Sequence, residues 1–176
     1  MDKLLKTIRS AADIRRYHTS RVIGEQTIGH HSFNVAMLVR VVTGDEASKD
    51  LIKAALDHDI PELATGDIPA PTKWLSPKIA EALYELDARF HSDHGNFFTE
   101  AHHLTEDEAR VLAIADMPEL VLFCIEQREM GNLHLFSVEL NGRKSLGKKP
   151  RPSNPDWNRN ISTLWSTVGV YLNEQS

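Results

Sequence analysis

At 176 residues the chain is long enough for one domain with a substantial core, burying roughly 70% of the surface its unfolded form would expose. Hydrophobic residues at 41% and charged residues at 26% are ordinary for a globular protein, and no apolar run approaches the ~20 residues of a membrane span. The formal net charge of -5 argues against a general nucleic-acid binder, although a local basic patch would still hold a small phosphate ligand.

In chain order, Leu4 to Ile14 carries apolar residues near helical period, with charge inside what would be the core of a secretory signal, so no export is implied. The stretch from Arg15 to Gly29 has two glycines and no helical stripe. Its three arginines, Arg15, Arg16 and Arg21, with Tyr17 between them, make it a candidate ligand loop. His30 to Val42 is almost wholly apolar and predicts a central, buried helix that Gly44 stops. Lys49 to His58 predicts the next helix, with Leu51, Ile52, Ala54, Ala55 and Leu56 inward and Pro61 ending or bending it. Pro69, Pro71 and Pro77 mark a connector with Trp74 and Leu75 as an apolar plug. Ser76 and Pro77 then open a helix through Ile79, Leu83, Leu86 and Phe90.

His91, His94, His102 and His103 read as surface histidines, because no acid or helical spacing ties them together. Thr105 to Glu108 is a capping box for a helix through Val111, Leu112, Ile114, Ala115, Met117 and Leu120 to Ile125 and beyond. The single Cys124 lies in its apolar run and reads as packing in a reducing cytoplasm. Gly131 and Asn132 break the chain before Leu133 to Leu140. Residues 141–158, rich in Gly, Pro, Lys and Arg, read as the one long loop, and 161–172 as a last helix. With no β alternation and no repeat, the class is all-α.

Four polar residues sit where apolar ones belong: His31 at the start of a buried helix, His58 and Asp59 at the end of another, and Asp116 inside a third. Two imidazoles and two carboxylates suit an octahedral or five-coordinate site for Mn, Co, Fe or Zn with positions left for water and substrate. Glu62, four residues from His58, is close enough to orient or deprotonate a water. Arg16 and Arg21 offer planar forks for phosphate oxygens.

The order His31, then His58-Asp59-x-x-Glu62-x-x-Thr65-Gly66-Asp67-x-Pro69-x-Pro71-x-Lys73, then Asp116 resembles the HD-domain phosphohydrolases. The likeness is to the bacterial 5'-deoxynucleotidases and to the short phage enzymes that strip triphosphate from dATP, over roughly residues 10 to 135. It implies a single-domain HD helical bundle with His31, His58, Asp59 and Asp116 on a divalent metal ion, which would be zinc, cobalt or manganese, or magnesium with a polyphosphate. It further implies Glu62 and Asp67 in the chemistry, Arg16 and Lys73 on phosphate, and a homo-oligomer in the cytoplasm, that of a host if the gene is phage-borne. His30 stands where the bacterial enzymes have glutamate. Tyr17 replaces the tryptophan associated with preference for the 2'-deoxy sugar, and the tail from Asn141 has no counterpart.

The expected reaction is hydrolysis of the 5' phosphoester of a deoxynucleotide. Chain length, His30 and the basic residues Arg143, Lys144, Lys148, Lys149 and Arg151 lean towards a dATP or dNTP triphosphohydrolase, whose outer phosphates the basic loop would neutralise. The alternative is a 5'-nucleotidase acting on dNMPs. A rival from another class, a nucleotide-binding regulator without turnover, is opposed by the presence of Glu62 and Asp67.

Overall fold

The computed structural model describes residues 2–69, 72, 76–95, 97–98 and 103–169. Among them it contains helices α1 (Asp2–Ala12), α2 (Ile28–Thr43), α3 (Lys49–Asp57), α4 (Pro77–Asp93), α5 (Glu106–Glu129), α6 (Phe136–Leu146) and α7 (Pro155–Thr167), with 3-10 turns at Gly44–Glu46 and Ile60–Leu63. No strand occurs among the described residues, which agrees with the all-α expectation, and no described helix is long and apolar enough to cross a membrane.

Local chemistry starts most of these helices. Thr27 and Ser48 accept the amides of His30 and Leu51 at the heads of α2 and α3, and Thr105 and Glu108 form the capping box of α5. Gly44, at φ 62, ends α2 in the left-handed region that glycine enters without steric cost. Helices α2 and α5 lie at the centre: α2 packs on α3, α5 and α7, and α5 also carries α6. Val35, Val39, Val42, Leu51, Ala55, Val111, Ile114, Ala115, Val121, Leu146, Ile161 and Trp165 form the main core between them. A smaller cluster of Ala11, Ile60, Phe90 and Phe98 joins α1 to the end of α4.

Two expectations are corrected here. Residues 141–158 are not one loop, since α6 continues through Leu146 and α7 begins at Pro155, six residues ahead of the expected helix at 161–172. The buried positions of α6 are Glu139, Gly142 and Leu146, so two of the three are a charge and a glycine, and no apolar stripe shows. Glu139 is accommodated by Arg143 at 2.7 Å and Arg128 at 3.1 Å. Asn154 caps α7 through the amides of Asp156 and Trp157. The end of that expected helix, residues 170–172, lies outside the described residues, as do Trp74 and Leu75.

His91 and His94 are not surface histidines. The C-terminal end of α4 docks against α1, where His91 is buried and the His94 ring stacks on Phe90 at 4.2 Å with its Nε2 3.2 Å from Thr7 Oγ1. His103 is exposed, and His102 lies outside the described residues.

Gly142 sets how closely α6 approaches α5, because a Cβ there would stand 2.9 Å from Val121 Cγ2 and 3.1 Å from Leu120 Cδ2. Gly142→Val should therefore destabilise the fold by about 1–3 kcal/mol, as overpacking does. Urea unfolding measures it, and an unchanged midpoint would mean the contact gives way freely.

Candidate active site

The site is assembled where three helices meet. Helix α3 ends at His58, its C-cap. Asp59 then leads into the 3-10 turn Ile60–Leu63, whose first turn tolerates Pro61 because no intrahelical amide bond is needed there. His31 enters from the first turn of α2, fully buried, and Asp116 from the middle of α5, still 39% exposed.

Their polar atoms converge. His31 Nε2 lies 3.3 Å from His58 Nε2, 3.3 Å from Asp59 Oδ2 and 3.1 Å from Asp116 Oδ1, while His58 Nε2 is 3.4 Å from Asp59 Oδ2. His58 donates Nδ1–H to Ala55 O at 3.0 Å and His31 donates Nδ1–H to Glu119 Oε2 at 2.6 Å, so both rings turn Nε2 to the centre. Ligands held about 2.1 Å from a common ion stand roughly 3.0–3.4 Å apart when adjacent, the spacing seen here. Two imidazole nitrogens this close repel unless a cation is between or upon them. The donor set thus fits a divalent metal, with His31, His58 and Asp116 meeting within 4.8 Å.

The electrostatics agree. Burial opposes a charge on His31, but hydrogen bonds to Asp116 and Glu119 outweigh it and raise its pKa to about 9. For Asp116, partial desolvation is overcome by the hydrogen bond and charge of His31 and by the charges of His58 and Arg16, which hold the carboxyl low. For Asp59, burial is overcome by the charges of His58, His31 and Arg16. The centre attracts positive charge, and a metal ion held by His31, His58, Asp59 and Asp116 would take that place in exchange for a proton.

Beside the centre is a pocket of about 280 Å³. Asp59, Glu62, Asp67, Asp116 and Arg16 line its polar end with Thr19 and Ser20, and Tyr17, Ile68, Pro69, Met117, Leu120 and Val138 its apolar wall. Arg16 is 10% exposed and its Nη1 is buried with no hydrogen bond inside the chain among the described residues. Burial disfavours its charge, but Asp59 and its neighbours more than restore it. The loop bearing Arg16 is closed by an antiparallel bridge between Arg15 and Thr27, by Arg16 N donating to Gln26 O at 2.8 Å, and by Ile28 N donating to Ile14 O at 2.9 Å. Gln127 grips its far side through both the N–H and C=O of Ile23.

Tyr17 is the one non-glycine residue of left-handed φ, +58°, among the described residues. That conformation is uncommon for a bulky side chain, and it is held by Asp67 Oδ2, which accepts the Tyr17 amide at 3.2 Å, and by stacking of the ring on Phe123 at 4.7 Å.

Of the residues singled out from sequence, His31, His58, Asp59, Asp116, Glu62, Asp67, Arg16 and Tyr17 come together here. Arg21 does not. It is exposed in a separate hollow with Ile23, Gly131, Leu133 and His134, because Asn132 Nδ2 pins its carbonyl at 2.9 Å on the far side of the loop. Lys73 lies outside the described residues. The basic residues after Asn141 do not line the pocket. Arg143 is paired with Glu139, and Arg151 lies 4.4 Å over the Trp165 ring and donates to Ser162 Oγ at 2.8 Å. Sequence reasoning missed Glu119, buried directly behind His31. Its signal was the same one that exposed Asp116: an acid inside an apolar helix, three residues further on.

The chain shares its fold with solved HD-domain phosphohydrolases, and His31, His58 and Asp116 bring together donor atoms that could hold a metal ion. A family model described as 5'-deoxynucleotidase YfbR-like matches residues 3–153, and the chain belongs to that family. It is 26% identical over 155 residues to a 5'-deoxynucleotidase of Cronobacter sakazakii, covering 77% of this chain and 78% of the relative. It is 24% identical over 183 residues to one of Photobacterium profundum, covering 93% and 92%. In fold it is similar to a protein of Pyrococcus horikoshii, with a TM-score of 0.74 at 18% identity over 96% of this chain and 98% of that one. It is also similar to the cyanophage S-2L HD phosphohydrolase DatZ, which was solved with dA and one catalytic Zn2+ ion. That likeness has a TM-score of 0.67 at 19% identity over 93% of this chain and 95% of the other.

Proposed function

We propose that the chain is a 5'-deoxynucleotidase, hydrolysing 2'-deoxynucleoside monophosphates to deoxynucleoside and inorganic phosphate. The observation that carries this reading is the charge of the pocket: among the described residues lining it, Arg16 is the one cation, beside Asp59, Glu62, Asp67 and Asp116. One guanidinium and one divalent ion suit one phosphate. A triphosphate adds further negative charge that extends away from the metal, and Arg143 and Arg151, expected to meet it, are engaged elsewhere. The names of the curated relatives point the same way.

In this reading His31, His58, Asp59 and Asp116 are the metal ligands. A divalent ion held there, zinc, cobalt or manganese, would supply Lewis acidity to the phosphate and to a water. Arg16 holds phosphate oxygens, with the Thr19 and Ser20 hydroxyls nearby. Glu62 takes a proton from the attacking water. As water adds to phosphorus the bond to the 5' oxygen breaks, and that oxygen receives the proton. Asp67 keeps the Tyr17 amide, and hence the phosphate loop, in place. The Tyr17 ring lies against the sugar, where a 2'-hydroxyl would meet it.

The test is a panel of dNMPs, dNTPs and their ribo counterparts with zinc, cobalt and manganese, with products identified. The expected result is phosphate and deoxyadenosine from dAMP, with kcat/KM for dATP lower by about tenfold or more. Triphosphate release from dATP as the faster reaction would establish the triphosphohydrolase instead, and metal binding with no turnover of any nucleotide would leave the regulator.

A further inference from the structure

We infer that Glu119 is a positioning residue that aligns the metal ligand His31 and the phosphate-binding Arg16 through one buried carboxylate, an inference that rests on the roles proposed above for those two residues. Glu119 lies on α5 one turn beyond Asp116 and is 4% exposed. A carboxylate taken out of water is costly unless donors satisfy its lone pairs, and here they come from two segments, helix α2 and the loop before it. Oε2 accepts His31 Nδ1–H at 2.6 Å and stands 3.7 Å from Arg16 Nη1. Oε1 accepts Gln26 Nε2 at 2.7 Å and Asn34 Nδ2 at 3.1 Å.

The consequence for His31 is directional. An acceptor at Nδ1 fixes both the ring rotation and the tautomer, so that Nε2 faces His58, Asp59 and Asp116; a rotated ring would present carbon to the metal. Arg16 is referred to the same carboxylate twice, by an ion-pair contact of its guanidinium at 3.7 Å and through Gln26, whose backbone oxygen accepts the Arg16 amide at 2.8 Å. Imidazole and guanidinium are thus referred to one anchor. Every group facing Glu119 is a donor, so the isosteric Glu119→Gln removes charge and turns an NH2 towards donors on one side or the other.

The experiment compares the parent chain, Glu119→Gln, Glu119→Asp and His31→Ala after metal is stripped with chelator. Co2+ is titrated by visible absorption, Zn2+ by competition with a chromogenic chelator, and the metal-free proteins are melted. Glu119→Gln should bind both ions about 10–100-fold more weakly, with altered Co2+ bands, and should raise KM for dAMP at saturating metal. Glu119→Asp, which keeps the charge, should recover part of the affinity. Parental affinity and spectrum in Glu119→Gln would overturn the inference, as would weaker binding that follows the loss of metal-free stability with unchanged bands. Should Glu119→Gln fail to fold, the same readouts on Glu119→Asp decide it: weakened binding with altered bands supports the role, and parental values refute it. His31→Ala separates the two levels of the argument. Retained Co2+ binding there would defeat the metal-site reading itself, whereas its loss beside an unaffected Glu119→Gln would defeat this inference alone.

Discussion

His58→Ala is expected to lose both its bound metal and its hydrolytic activity while keeping the helical content of the parent chain. His58 supplies one of four converging atoms, its Nε2 lying 3.3 Å from that of His31 and 3.4 Å from Asp59. Without it, Asp59 and Asp116 lose a partner whose charge helps hold both carboxyls low, and the remaining donors no longer enclose an ion. The fold has little at stake there. His58 is the C-cap of α3, whose buried residues Leu51, Ala54 and Ala55 are untouched by the change. Metal analysis by mass spectrometry beside circular dichroism reads the two effects separately. Stoichiometric metal in the variant would take His58 out of the ligand set.

Glu62→Ala should lower kcat by about 10²–10⁴-fold, the scale of a lost general base, while metal content and KM stay near those of the parent. The residue is carried on the 3-10 turn Ile60–Leu63, which Pro61 stiffens and whose buried Ile60 and Pro61 anchor it beside the ligands. It lines the pocket together with Asp59 and Asp116, while the converging polar atoms are those of His31, His58, Asp59 and Asp116. In the role proposed for it, removing its carboxylate takes away proton transfer and leaves the atoms that would hold a metal in place. A turnover near the parental value would pass the role to Asp67, the next carboxylate of the same pocket.

Much of this was legible because it is encoded by neighbours in sequence. The capping box of Thr105 and Glu108, the N-caps Thr27 and Ser48, and the apolar faces of α2, α3 and α5 depend on residues three or four apart, and a helix satisfies them wherever it docks. His31, His58, Asp59 and Asp116 were conspicuous for a related reason: a polar group in an apolar helix must find a partner, and four of them imply one shared partner.

What sequence could not determine was which long-range groups meet. Glycine and charge in 141–158 read as a loop, yet Gly142 is there so that α6 can touch α5, and Glu139 is buried because Arg128 and Arg143 reach it from two helices. Arg16 and Arg21 are alike in composition and five residues apart. Only the closing of the loop by Arg15 and Thr27, with Gln127 and Asn132 holding its far side, sends one into the pocket and leaves the other outside it. Glu119 carries the same signal as Asp116, but that it stands behind His31 rather than among the converging atoms of His58, Asp59 and Asp116 is settled by the packing of α2 on α5. Periodicity is a property of one helix; the polarity of a site depends on the distances between several, and those exist only once the chain has packed.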